Sequence, residues 1–193
     1  KSLGCDFLAC SAYKFFGPHI GIMWGKRELL LEVEPYKLRP APNDLPGRWM
    51  TGTQNHECLA GVLAAINYLS GLGSGATRHQ QLDDAFAQIT AYETSLARQF
   101  IEGANRISGL TLYGITDLGR LSMRVPTFSL TIKGLTSAAL ATRLAEKGIF
   151  AWHGNYYALE LSEQLGMEPD GMVRVGMVHY NTPQEVTRLL QAL

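Results

Sequence analysis

Cysteine is scarce in this chain: three residues (Cys5, Cys10, Cys58) among 193, with no Cys-x-x-Cys pair. An odd count without such a pair argues against a disulfide framework and a zinc ribbon. The reading is of buried, reduced thiols in a cytoplasmic protein with no metal centre. An excess of one charge is also missing, since 17 Lys and Arg balance 17 Asp and Glu. That balance argues against a nucleic-acid surface, which calls for a basic face. Long apolar runs are absent as well; stretches such as Cys58 to Ile66 are far too short to span a bilayer. There is no starting methionine and no signal-peptide pattern before Gly4. Lys1 to Gly4 lead at once into Phe7-Leu8-Ala9-Cys10, which reads as a central strand, so the expectation is a piece of a longer protein.

What is present is an ordinary globular composition, 46% hydrophobic and 18% charged, enough for one domain and a fraction. Phe7 to Ala12 and Gly21 to Gly25 read as short buried strands around a loop that ends in Gly17-Pro18. Lys26 to Leu31 reads as a helical turn, and the four prolines between Pro35 and Gly47 as an extended surface loop. Apolar residues at helical spacing run from about Asn55 to Leu69. The Gly71–Gly75 stretch then breaks the pattern and marks the expected domain boundary. A long helix follows, carrying Leu82, Phe86, Ile89, Leu96 and Phe100 on one stripe, with Glu93 as its only interruption.

Beyond it, Leu110 to Tyr113, Phe128 to Ile132, Ile149 to Trp152 and Met172 to Val175 read as strands. Thr136 to Lys147 reads as a helix closed by Gly148. Thr182-Pro-Gln-Glu185 combines a capping box with a first-turn proline and opens the last helix. Strand, helix and strand in this order predict a small α/β sandwich with its helices on one face.

Three groups of residues could carry chemistry. Lys14 lies in a tight loop after a strand, beside two aromatics. An amine next to apolar surface is more readily held in its neutral, nucleophilic form, as imine chemistry with an aldehyde requires. Thr51-Gly52-Thr53 precedes a helix, where backbone N–H groups, a hydroxyl and the positive helix end suit a phosphate. The plainer alternative is a threonine helix cap. Arg174 stands in the strand Val173-Arg-Val175 and could grip a carboxylate with its planar fork, or pair with an acid at a strand edge.

Taken together, these segments resemble the class V aminotransferase/cysteine desulfurase family. The cofactor-lysine segment is Asp6-Phe-Leu-Ala-Cys-Ser11-Ala-Tyr-Lys14-Phe-Phe-Gly17-Pro18. The Gly52-Thr53 step follows it, and Arg174 with Tyr180-Asn181-Thr182 closes the chain. The resemblance spans nearly the whole sequence. It implies an α/β protein: the C-terminal part of a fold type I large domain (residues 1–75), then a small C-terminal domain (76–193).

It also implies pyridoxal 5'-phosphate as cofactor, held as an internal aldimine on Lys14, with Lys14 later serving as the proton-transfer base. Ser11 would donate to the cofactor phosphate, and Thr53 would reach the cofactor of the neighbouring subunit in a homodimer with shared active sites. Arg174 would hold the carboxylate of a small amino-acid substrate, and His153 would be a substrate-side acid or base. No nucleic acid or membrane is implied as a partner.

Departures from the family pattern are visible. Tyr13 stands where a histidine usually precedes the lysine, and His19-Ile20 changes the spacing after Pro18. Tyr157 stands about where desulfurases carry the persulfide-forming cysteine, and no cysteine follows Cys58. Lyase, transaminase or epimerase chemistry is therefore expected ahead of desulfuration. The chain alone is expected to be inactive. The alternative from another class is a non-catalytic dimerisation module that binds no cofactor.

Overall fold

A computed structural model describes residues 3–193. Packing of the backbone separates two units, one ending at Ala85 and one running from Phe86 to Leu193. The division falls inside a long helix, beyond the Gly71–Gly75 break expected to separate the domains.

The first unit opens with an antiparallel pair, β1 (Phe7–Ser11) and β2 (Gly21–Gly25), in which Cys10 faces Ile22 and Ser11 faces Gly21. The expectation of buried strands does not hold here. Phe7, Leu8, Met23 and Trp24 are all exposed, because the pair has no further strand or covering layer among the described residues. The thiols follow the same correction: Cys10 is exposed, and Cys5 and Cys58 are half-buried. α1 (Arg27–Glu32) follows β2. The proline-rich loop after it bounds a hollow of about 780 Å³ lined by Tyr36, Leu38, Pro42, Met50 and Gly52. α2 (His56–Gly71) buries Val62, Ala65 and Leu69 on one face. α3 (Arg78–Ala104) leads out of this unit.

The second unit is a four-stranded antiparallel sheet in the order β3-β4-β6-β5: β3 (Leu110–Tyr113), β4 (Thr127–Ile132), β5 (Trp152–Gly154) and β6 (Met172–Gly176). α4 (Ser137–Glu146) lies between β4 and β5 in the chain, α5 (Leu159–Gln164) between β5 and β6, and α6 (Pro183–Ala192) ends it. Alternation along the strands sends Phe128, Leu130, Val173 and Val175 to one face. There they form a closed core with Leu96, Phe100 and Ile101 of α3, Leu140 and Leu144 of α4, and Val186 and Leu189 of α6. The expected one-sided α/β sandwich is this unit.

Local chemistry explains the boundaries. Thr182 and Glu185 satisfy each other's backbone N–H groups in the capping box. α4 starts at Thr136, whose hydroxyl accepts from Ala139 N–H, and ends in a Schellman turn. In that turn Gly148 N–H donates to Ala145 O (2.8 Å) and Ile149 N–H donates to Leu144 O (2.9 Å). Ile149 is thereby part of the helix exit, and β5 begins at Trp152 rather than at the expected Ile149.

The α3 stripe divides too: Leu96 and Phe100 are buried, whereas Phe86 is half exposed. Glu93 interrupts the stripe because it is hydrogen-bonded to the backbone of His179. Burial pushes its carboxyl up, against the opposing pull of the nearby imidazole.

Phe100 packs its ring 4.5 Å from that of Phe128 and has no exposed surface. Phe100→Ala should therefore cost about 3–5 kcal/mol, read as a shift in the denaturant midpoint. Phe86→Ala, on the same sequence stripe, should stay within about 0.5 kcal/mol of wild type.

Candidate functional site

Lys14 sits on a single 3-10 turn, Ala12–Phe15, directly after β1. Ser11, still extended (φ −106°, ψ 124°), is the last residue before the turn, so Lys14 follows it closely in the chain. The turn is clamped through Ala12, the fully buried residue at its start. Ala12 N–H donates to Ile20 O (2.9 Å), and Ala12 O accepts from Gly17 N–H (2.9 Å) as well as from Phe16 N–H. A side chain at Gly17 would strike Ala12 O at 2.9 Å, so glycine is what lets the chain fold back this tightly. Phe16 takes the left-handed conformation (φ 68°), an uncommon one for an aromatic residue.

Lys14 itself is exposed, its Nζ 5.8 Å from the centre of the Tyr13 ring. Tyr13 in turn rests on His19, ring centres 5.2 Å apart. The two departures from the family pattern near the lysine are thus one contact.

Thr53 lies just before α2. The cap of that helix is Asn55, whose side chain accepts from Cys58 N–H at 3.0 Å. The threonine-cap alternative therefore fails, and Thr53 is exposed without that duty. α2 also approaches the lysine loop: a side chain at Gly61 would meet Pro18 at 3.0 Å, so any larger residue there would need the proline ring to give by a few tenths of an ångström. α2 thus approaches the exit of the loop that follows Ser11, whose hydroxyl makes no cap bond to the turn, and Lys14; the Gly52-Thr53 step lies just ahead of that helix. An amine and a hydroxyl carried by one strand and its turn suit an aldehyde that bears a phosphate.

The second unit holds the other predicted residues and separates them. Arg174 is register partner to both Trp152 of β5 and Ser129 of β4, on the sheet face away from the helices. His153 pairs with the buried Val173, so the pleat directs it to the opposite face from Arg174. Arg174 is exposed beside a hollow of about 660 Å³ lined by Phe150, Trp152, Val178 and Tyr180. Among the described residues no carboxylate stands within ion-pairing distance of it. Its guanidinium instead lies 4.9 Å from the centre of the Tyr156 ring.

Tyr156 was not singled out by sequence reasoning; its only signal is its place four residues after Trp152. Tyr156 Oη donates to Met172 O and is hydrogen-bonded by Ser129. Burial pushes this phenol up to about 12, against the pull of Arg174 and the Ser129 hydrogen bond. Tyr157 is fully exposed next to it.

The profile of the aminotransferase class-V family matches residues 1–189. An aminotransferase-like protein, FGM3, of Gibberella zeae is 29% identical over the whole chain. A cysteine desulfurase of Yersinia pseudotuberculosis is 31% identical, again over the whole chain. In each case the chain covers 46% of the relative's length. Among solved structures, the apo cysteine desulfurase of Thermococcus onnurineus superposes with a TM-score of 0.80 at 25% identity, over 98% of this chain and 46% of that one. The chain belongs to the aminotransferase class-V family and spans a little under half the length of the relatives it matches. Its mixed α/β fold is that of the corresponding part of these fold type I enzymes.

The raised phenol has a measurable consequence. Because the folded-state value lies above the ordinary 10.0, Tyr156 stabilises the fold fully below pH 10, and that contribution disappears between about pH 10 and about 12. Absorbance titration should show one late-ionising phenol that is missing in Tyr156→Phe. The variant should also lose less stability than wild type over that alkaline window.

Proposed function

We propose that this chain supplies the lysine and the carboxylate grip of a pyridoxal-phosphate enzyme acting on a small amino acid. The observation that supports this most strongly is the clamped turn that carries Lys14 directly after the strand ending at Ser11, with Gly61 of α2 close to its exit at Pro18. When bound, the cofactor supplies an aldehyde for an amine to capture and an electron sink for the substrate's Cα bonds. Lys14 anchors it and moves the proton at Cα. Ser11 donates to its phosphate, and Thr53 donates to the phosphate of a second subunit in a homodimer. Arg174 orients the substrate by its carboxylate, with in-plane N–H groups that no acid of the described chain occupies.

His153, on the other face of the sheet from Arg174, is assigned no part in that grip. The three free thiols support a reducing, cytoplasmic setting. The reaction proposed is a transamination, lyase or epimerase step. The exposed side chain at position 157 is a phenol, which cannot take up sulfur as a thiolate does, and all three cysteines belong to the first unit.

Borohydride reduction of the yellow protein followed by peptide mapping should place the cofactor on Lys14; a label on any other lysine overturns the assignment. In the variant lacking Cys5, Cys10 and Cys58, cysteine should release sulfide no faster than background. Release at the wild-type rate together with fast wild-type turnover would show desulfuration without a protein persulfide.

A further inference from the structure

A lone exposed arginine is a poor grip, because its long side chain must be ordered anew at each encounter with a ligand. Arg174 is not left in that condition. The Tyr156 ring backs its guanidinium at 4.9 Å. Two hydrogen bonds fix the ring: Tyr156 Oη donates to the carbonyl of Met172, two residues before Arg174 on the same strand, and is met by Ser129, the register partner of Arg174 on β4. The ring is therefore tied to the same two strands that carry the arginine.

Tyr156 also holds φ 55°, and its neighbour Tyr157 φ 64°. Side chains with a Cβ adopt this region rarely and at a cost that the surroundings must offset. Here the strained turn sends one ring under the guanidinium and leaves the other in solvent. The choice of backing matters chemically. A carboxylate behind Arg174 would occupy its in-plane N–H donors, whereas an aromatic face contacts the flat side of the fork and leaves those donors outward.

We propose that Tyr156 is a positioning residue that pre-orients Arg174 for a substrate carboxylate. The inference rests on the reading of Arg174 as a carboxylate grip, and the two can be tested apart.

The probe is propionate, which carries the carboxylate without an amine and so does not engage Lys14. The readouts are its dissociation constant and the Arg174 Nε–H resonance in a 15N-edited spectrum of the intact protein, assigned by its loss in Arg174→Lys. In the wild type that proton should be shifted upfield by the ring current of Tyr156 and should move on titration with propionate. Tyr156→Leu should abolish the ring-current shift and weaken propionate binding about two- to fivefold. Tyr156→Phe, which keeps the ring and loses its tether to Met172, should restore part of both.

Wild-type shift and affinity in Tyr156→Leu, with Arg174→Lys still failing to bind, would overturn the positioning role and leave the grip standing. Undiminished propionate binding in Arg174→Lys would instead overturn the grip itself. Should Tyr156→Leu not fold, Tyr156→Phe decides the matter: a reduced shift and about twofold weaker binding are expected, and wild-type values for both would overturn the proposal.

Discussion

The pairing of Leu130 with Val173, both fully buried against the helices, fixes nearly everything useful in the second unit. A strand's side chains alternate, so once those two residues face inward the register leaves no freedom to their neighbours. Ser129, Arg174 and Trp152 must then line up across the opposite face. A one-residue slip of β6 would bury the guanidinium among leucines and phenylalanines, at a desolvation cost no nearby acid offsets. The hydrophobic core thus serves as the registration device for a charged group.

The same alternation sets the limit of what could be read from residues alone. β3 and the final helix were legible almost to the residue, because period-two apolar spacing and a capping box are local signals. The strand that carries Arg174 was legible too, expected at Met172 to Val175 and found at Met172–Gly176. The relation of His153 to Arg174 was not, because the face of a three-residue strand depends on its partner's register rather than on its own composition. β5 itself came out displaced for a similarly local reason: Ile149 looks like strand but completes the Schellman turn of α4. Tyr156 was invisible because nothing in the letters announces a left-handed φ at a tyrosine.

In the first unit the lysine turn was legible and its environment was not. Burial of β1 was inferred from apolar letters, but burial needs a second layer, and the pair β1–β2 has none among the described residues. Tyr13 and His19 looked like two separate departures from a family pattern. Their ring centres lie 5.2 Å apart, so the fold brings the lysine's neighbour and the residue after Pro18 into one contact.

The start of α2 divides labour in a way that bears on how such a chain can change over generations. Asn55 carries the helix cap, and Thr53, two positions earlier, carries none of it. Where one residue both closes a helix and contacts a ligand, drift at that position endangers the fold before it can alter recognition. Here Asn55 alone carries the cap, so a change at position 53 can alter what that residue meets while position 55 keeps the helix start intact.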